Sequence, residues 1–216
     1  MRIKITLNIC LILLVLNVTA QNTPEADFSK IKKGTKALSG RVGFSQSKTE
    51  YTSSYFKRTQ LELRPGVSYF VKDNLSVGIS VPFFTQTYKD TNPLFSNQDY
   101  NQTGIGGSVS IRNYKRIAGK FFFTSSLGLS YRWSSNNATN NVLDSKGREG
   151  SVAGTAGVLY FLNEKWSLET SPLGIGYSYR KSTLKNDSNS TTTTKDILLN
   201  GAISGITLSV RYFIRP

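Results

Sequence analysis

The chain has 216 residues, a formal net charge of +14 at pH 7 and no histidine. The absence of histidine excludes Ser-His-Asp catalysis and histidine-ligated metal sites. Such a positive charge is compatible with a nucleic-acid partner. The export signal at the N-terminus argues against nucleic acid, and the expected anionic partner is lipid head groups.

Residues 1–20 have the organisation of a cleavable secretory signal. A basic start precedes an apolar run over residues 5–16, and Ala20 is the expected cleavage site. The run is shorter than the about 20 apolar residues that a transmembrane helix needs. Cleavage would leave 196 residues (216 minus 20), a net charge of +12 and no cysteine, because Cys10 lies in the signal. We therefore expect no disulfide, no metal and no cofactor.

A short polar lead, residues 21–36, precedes eight runs in which apolar and polar residues alternate. Alternation with period two is typical of β-strands whose faces meet different environments. The runs cover residues 38–45, 60–71, 75–83, 104–112, 121–133, 151–162, 166–179 and 206–212. The apolar face switches near Pro172 and near Gly205, and a bulge at each point would restore a common face. No run has sustained helical periodicity, so the chain is predicted to be all-β.

The connections between these runs alternate in length. The long ones follow the odd runs and cover about Lys48–Tyr55, Lys89–Asn101, Ser135–Arg148 and Ser182–Lys195. The short ones are Lys72–Asn74, Lys115–Gly119 and Asn163–Lys165. This pattern predicts an eight-stranded antiparallel up-and-down transmembrane β-barrel over residues 37–216, with short periplasmic turns and long extracellular loops.

Aromatic residues cluster near both ends of the predicted strands, as in the interfacial girdles of membrane barrels. Tyr114 is assigned to the band at the short-turn end. The main predicted interface aromatics are Phe44, Tyr69, Tyr88, Tyr131, Trp133, Tyr160, Trp166, Tyr177 and Tyr212.

Several sequence features resemble one protein family. They are the signal ending Val18–Gln21, the turns Lys72–Leu75 and Asn163–Trp166, and the closing strand Leu208–Phe213. With them, residues 36–213 resemble the small eight-stranded outer-membrane β-barrel proteins, particularly those of the Bacteroidetes type. The resemblance implies location in the outer membrane of a Gram-negative cell and assembly by the barrel-assembly machinery.

Charged residues on the polar face of the runs are the candidate functional residues. They are Arg41, Glu62, Arg64, Arg112, Arg132, Glu169 and Arg211. The interior of an eight-stranded barrel is only wide enough for side chains to fill, and buried charges are costly unless they pair. We therefore predict a lumen charge network in which Glu62 and Glu169 each bridge several arginines.

Basic residues of the predicted outer loops form a candidate surface for lipopolysaccharide phosphates. They are Lys48, Lys57, Arg58, Lys89, Lys146, Arg148, Lys181, Lys185 and Lys195. The expected partners are therefore outer-membrane lipid and lipopolysaccharide. The sequence does not predict an oligomeric state.

Three classes of function remain open on the sequence. A non-enzymatic structural or surface-interaction barrel is the leading prediction, and a narrow channel or small-molecule conduit is the first alternative. A soluble secreted β-barrel carrier would have the same alternation with its faces exchanged. An enzyme is the least favoured class, because only a lysine-activated serine or the Glu62 and Glu169 carboxylates could act as a base.

Overall fold

The computed structural model of the chain describes residues 29–50, 55–90, 100–138, 145–184, 191–200 and 206–216. Regular structure in these residues consists entirely of β-strands. They are β1 (Lys36–Glu50), β2 (Tyr55–Lys72), β3 (Leu75–Ser80), β4 (Phe83–Asp90), β5 (Tyr100–Ala118), β6 (Phe121–Ala138), β7 (Ser145–Phe161), β8 (Trp166–Leu184), β9 (Thr191–Asn200) and β10 (Ile206–Ile214). The predicted signal peptide and the predicted bulge at Gly205 lie outside the described residues.

The ten strands occupy eight positions in the wall of a closed barrel. β3 and β4 share one position, since both pair with β2 on one side and β5 on the other. β9 and β10 both pair with β8. β1 pairs with β2 and also with β10, from Lys36↔Ile214 to Phe44↔Ile206, which closes the wall. Every pairing is antiparallel, and the predicted all-β, eight-stranded up-and-down barrel is confirmed.

In the part of the chain that the structure describes, no helix has the length and apolar character needed to cross a membrane.

The third predicted run is interrupted at Pro82, which separates β3 from β4. Proline has no backbone N–H to donate to a sheet, so the ladder is broken at this position. The Pro82 carbonyl still accepts a hydrogen bond from the Gly106 N–H at 3.0 Å. The interruption is therefore local, and the strand resumes at Phe83 with its apolar side chain still facing outward.

The strands extend well beyond their predicted ends. Six of the strands that flank the predicted long loops, β1, β2, β5, β6, β7 and β8, have 15 to 19 residues, whereas about 9–11 suffice to cross a bilayer at a tilt. The prediction followed the apolar alternation, but backbone pairing continues where both faces become polar. The strands therefore include the ends of every predicted outer loop. The remaining connections, residues 51–54, 91–99, 139–144 and 185–190, lie outside the described residues.

Short turns connect the strands at the opposite end of the barrel; the first and third lie where they were predicted, whereas β5 continues through Ala118 into the turn predicted at Lys115–Gly119. They occupy residues 73–74, 119–120 and 162–165. Asn74 and Gly119 adopt left-handed backbone conformations, with φ of 60° and 47°. Glycine and asparagine are the residues that adopt this conformation most readily. Turn chemistry was thus readable from the sequence.

The predicted bulge near Pro172 is confirmed. The pairs Ala156↔Leu173 and Val158↔Thr170 leave two residues of β8 opposite one residue of β7, Gly157. A Cβ at Gly157 would overlap the Thr170 carbonyl oxygen, so the bulge requires a glycine there. The extra residue lets β8 keep its apolar residues outward on both sides of the bulge.

The two faces of the wall differ sharply in chemistry. Outward aliphatic side chains remain about half exposed, for example Leu63 at 52%, Val109 at 52% and Leu129 at 57%. The inward residues that alternate with them are serines, threonines, glycines and charged residues. The polar face therefore lines the lumen.

Candidate functional site

All seven predicted network residues lie on the inward face, and six of them form two clusters. The deeper cluster is centred on Glu169, which is 1% exposed. Its carboxylate accepts hydrogen bonds from Arg112 and, at 2.7 Å, from Arg211. Thr124 and Ser171 also donate to it, at 3.2 and 3.4 Å. Glu169 therefore bridges two buried guanidiniums and accepts hydrogen bonds at both carboxylate oxygens.

The second cluster is centred on Glu62 and lies nearer the end of the barrel opposite the short turns. The Arg64 Nε–H donates to one carboxylate oxygen of Glu62 at 2.9 Å, and its Nη2 lies 2.7 Å from the same oxygen. Arg132 lies 3.3 Å from the other oxygen, and its guanidinium lies 5.6 Å from the centre of the Phe84 ring. A Cβ at Gly104 would overlap that ring, so glycine makes room for it. Glu62 thus bridges two arginines from different strands.

A third inward ion pair lies beyond Glu62. Arg180 donates to the Glu149 carboxylate through two nitrogens, at 3.0 and 2.6 Å. This pair was not predicted, because Glu149 lies between the predicted loop Ser135–Arg148 and the sixth run, which begins at residue 151. The signal was nevertheless present, because Glu149 follows the inward parity of β7 and lies directly opposite Arg180 and Arg132.

Arg41 is the exception among the seven. Its Nε–H donates to the Ser209 hydroxyl at 3.1 Å, and in the described part of the chain no carboxylate forms an ion pair with it. Arg41 lines a polar cavity of about 120 Å³ between the two clusters, together with Arg64, Arg112 and Arg211. Most other residues that line the cavity are serines.

An apolar cluster seals the short-turn end of the lumen. We call it the plug: Ile31, Ala37, Phe70, Tyr114, Phe122, Leu159, Phe161 and Phe213, each at most 5% exposed. The Phe161 ring centre lies 5.0 Å from that of Phe213 and 5.5 Å from that of Phe122. The sequence analysis expected a polar lumen throughout and put Tyr114 in an outward band, which is wrong because Tyr114 is 1% exposed.

The signal for the plug was a local loss of alternation. Beside each short turn the sequence has consecutive apolar residues, such as Tyr69-Phe70-Val71 and Phe121-Phe122-Phe123. Since neighbouring residues of a strand point to opposite faces, such a run fills both the outside and the inside. An apolar inner layer at this end follows directly.

The lead segment before β1 packs against the same end. Ile31 enters the plug, and its N–H donates to the Asn74 side chain at 2.8 Å while its carbonyl accepts from the Asn74 N–H at 2.9 Å. Lys30 forms an ion pair with Asp73 at 2.7 Å. The hydrogen bond from Lys30 lowers the pKa of Asp73 below its usual 3.8. Residues 29–35 therefore cover the turn rather than extending away from the barrel.

Most predicted interface aromatics lie on the outer wall. The Phe121 and Tyr160 rings are 4.6 Å apart near the short turns, as are Trp166 and Tyr212 at 4.9 Å. Eight of the nine residues predicted face outward, and these are Phe44, Tyr69, Tyr131, Trp133, Tyr160, Trp166, Tyr177 and Tyr212. They form one row near each end of the barrel.

Tyr88 is the ninth and lies inside. It is 9% exposed, and the Arg58 guanidinium lies 5.8 Å from its ring centre. The reason is parity: Phe83 faces outward, and a residue five positions later must face inward. The same rule places Arg58 in the lumen, which corrects its assignment to the outer basic surface.

Two rows of basic residues cross the outer wall near the end of the barrel opposite the short turns, just beyond the aromatic row at that end. Lys48, Lys57 and Lys89 are direct cross-strand neighbours on three adjacent strands. Arg148 and Lys181 are neighbours beside Trp133, which is 50% exposed. Like charges placed directly opposite one another destabilise a sheet, and negative charge near these rows would offset that effect.

The described residues contain no group of three or more acidic, cysteine or histidine side chains that could hold a metal ion. The buried carboxylates are engaged by arginines, which holds them in ion pairs rather than leaving a base facing a substrate. The interior of the barrel therefore contains arginine-paired carboxylates, and Arg41 without an ion pair to any described residue, above an apolar seal.

No protein-family model matches the chain, and no curated protein matches it. Among solved structures it is similar to the outer membrane protein OprG from Pseudomonas aeruginosa, with a TM-score of 0.57 and 13% identity over 88% of this chain and 100% of that one. The N-terminal β-barrel domain of Pseudomonas aeruginosa OprF gives a TM-score of 0.47 and 13% identity over 85% and 100%. Neisserial surface protein A gives 0.46 and 14% over 83% and 97%. At these identities the likeness to OprG shows the barrel fold alone.

Proposed function

We propose that this protein is an integral outer-membrane barrel with a sealed lumen and a structural or surface-interaction role, without enzymatic activity. The observation that carries the proposal is the occupied interior. The plug fills one end, and the Glu169 and Glu62 clusters cross the lumen above it. A barrel filled in this way supports contacts with its surroundings rather than passage through it.

The outer wall supports the membrane location. Its aliphatic side chains form a continuous exposed band, of the kind that soluble monomers rarely present. Aromatic rows border this band at both ends, as at membrane–water interfaces. A soluble carrier would need the opposite arrangement, with apolar side chains around an internal ligand. The face chemistry therefore favours lipid outside the wall.

The proposal includes the route to that location. The predicted signal over residues 1–20 would direct export, and the barrel-assembly machinery would insert the chain, as the sequence resemblance to Bacteroidetes-type outer-membrane barrels implies. The three short turns and the two chain termini would then face the periplasm. The opposite ends of the strands would face the outside of the cell.

A narrow channel is the second candidate, and the polar cavity between the two charge clusters favours it. Conductance distinguishes the two functions. Purified protein reconstituted in planar bilayers at high salt should give no steady conductance above background, because plug and ion pairs leave no continuous water path. An open porin reconstituted in parallel controls for insertion. Regular conductance steps of reproducible size would contradict the sealed barrel and support the channel.

We further propose that lipopolysaccharide is a partner of the two outer basic rows. Each charge near an anionic surface contributes about 1 kcal/mol, so Lys57→Gln and Arg148→Gln should each weaken lipopolysaccharide binding by about fivefold. The measurement is binding of labelled lipopolysaccharide to the purified protein in detergent. Lys115→Gln removes an exposed charge at the short-turn end and should leave binding unchanged. Equal loss in all three variants would contradict a specific surface.

A further inference from the structure

The polar cavity between the two charge clusters has an unusual lining. It has a volume of about 120 Å³, and four arginines reach it: Arg41, Arg64, Arg112 and Arg211. The rest of the lining consists mainly of hydroxyl-bearing residues, and none of the described residues that line it is acidic. The polar groups around the cavity are thus hydroxyls, which can donate hydrogen bonds, and four positively charged guanidiniums.

Ion pairs around the cavity do not balance. The two clusters and Arg41 contain five arginines, whereas Glu62 and Glu169 are the two carboxylates that pair with four of them. Five positive charges against two negative charges leave a surplus of three. Uncompensated charge in a protein interior is strongly unfavourable, so this surplus requires a counter-charge.

The surplus is concentrated at one point of the wall. Arg41 lies directly across from Arg64 on the neighbouring strand, and both side chains face the cavity. A directly opposed pair of like charges destabilises a sheet unless something between the charges compensates. Arg64 shares its carboxylate with Arg132, while Arg41 has only the Ser209 hydroxyl.

We propose that the cavity binds a small inorganic oxyanion of the size of phosphate, held chiefly by Arg41 and Arg64. Guanidinium groups donate paired hydrogen bonds to oxyanions, and serine hydroxyls complete the set of donors. The volume suffices, because one water needs only about 10–15 Å³ measured in the same way. The anion fixes strand β1 to β2 and to the Glu169 cluster, and so acts as a structural ligand.

Thermal unfolding of the detergent-solubilised protein tests this proposal. After exhaustive dialysis, samples at each phosphate concentration are heated to a series of temperatures and run without boiling on a denaturing gel, on which folded and unfolded barrels migrate differently. The temperature at which half of the folded band is lost is the unfolding midpoint. Chloride keeps the ionic strength constant. The unfolding midpoint of the parent protein should rise with phosphate and saturate, since a ligand that binds only the folded state stabilises it. In Arg41→Gln the half-saturating phosphate concentration should increase about tenfold or more.

The unfolding temperature of Arg41→Gln relative to the parent protein in phosphate-free buffer is a second readout. Arg41→Gln removes an uncompensated charge, so in phosphate-free buffer this variant should unfold at a higher temperature than the parent. At saturating phosphate the order should reverse. Arg148→Gln changes an exposed arginine of the outer wall and should keep the parental response, which separates the cavity from the outer basic rows.

A second variant keeps the proposal testable if Arg41→Gln does not fold. Ser110 faces the cavity and lies between Gly78 and Gly128 on the adjacent strands, so a larger side chain has space there. Ser110→Ile retains every charge but fills the cavity, and it should abolish the phosphate response. The proposal would be overturned if phosphate and chloride raised the unfolding midpoint equally. It would also be overturned if whichever of the two variants folds responded to phosphate as the parent protein does.

Discussion

Replacing Glu169 by glutamine is expected to lower the free energy of unfolding by about 3–5 kcal/mol, the usual effect of removing one partner of a buried ion pair. Glutamine has nearly the same shape as glutamate, so packing should be preserved. The loss comes from Arg112 and Arg211, whose side chains are 8% and 7% exposed and would keep their charges without a partner.

Urea unfolding of the barrel in detergent or vesicles measures this loss. The fraction of folded barrel at each urea concentration is read from the intensity of the folded band on a gel of unboiled samples. Glu149→Gln is the matched control, because its partner Arg180 is 38% exposed and the pair should contribute at most about 1 kcal/mol. Replacing the whole cluster with Glu169→Leu, Arg112→Met and Arg211→Met should recover most of the stability. A Glu169→Gln barrel as stable as the Glu149→Gln barrel would refute the assigned role.

Phe161→Ala is expected to produce a loss of similar size, about 3–5 kcal/mol, for a different reason. Phe161 is 1% exposed at the centre of the plug, and its removal leaves a cavity between Phe122 and Phe213. The lost stability combines apolar transfer and unfilled space. Since the plug closes the lumen, the variant should also admit water to that end.

The two effects are measured separately. Stability is obtained from the same urea titration, and water entry from hydrogen exchange of the amides next to the plug. Phe123→Ala is the control, because Phe123 lies on the neighbouring strand β6 near the same end of the barrel but faces outward and is 40% exposed. If Phe123→Ala destabilised the barrel as much as Phe161→Ala, the plug would have no special importance.

Period-two alternation predicted the faces of the barrel well, because a strand with lipid-like and polar surroundings must alternate. The rule located all seven network residues on one face and required the bulge beside Pro172. It failed where both faces share one chemistry. Apolar runs around Phe70 and Phe122 concealed the plug, and polar runs such as 134–137 concealed the outer parts of the strands.

Pairing within the lumen was only partly predictable. The number of arginines per carboxylate followed from composition, since two acids among five arginines must be shared. Which arginine reaches which acid depends on register, and register is set by closure between β1 and β10. For that reason the isolated position of Arg41 and the cavity beside it could not be inferred from the chain.

The origin of the plug residues has a consequence for how the barrel folds. Ile31 comes from the lead segment, Phe213 from the last strand, and the others from strands between them. No single hairpin can bury its own share of this layer. Contacts across the seam, such as Arg41 with Ser209, join residues 168 positions apart. The inner layer therefore becomes stable only at the step in which first and last strands meet, which makes folding cooperative and disfavours half-closed barrels.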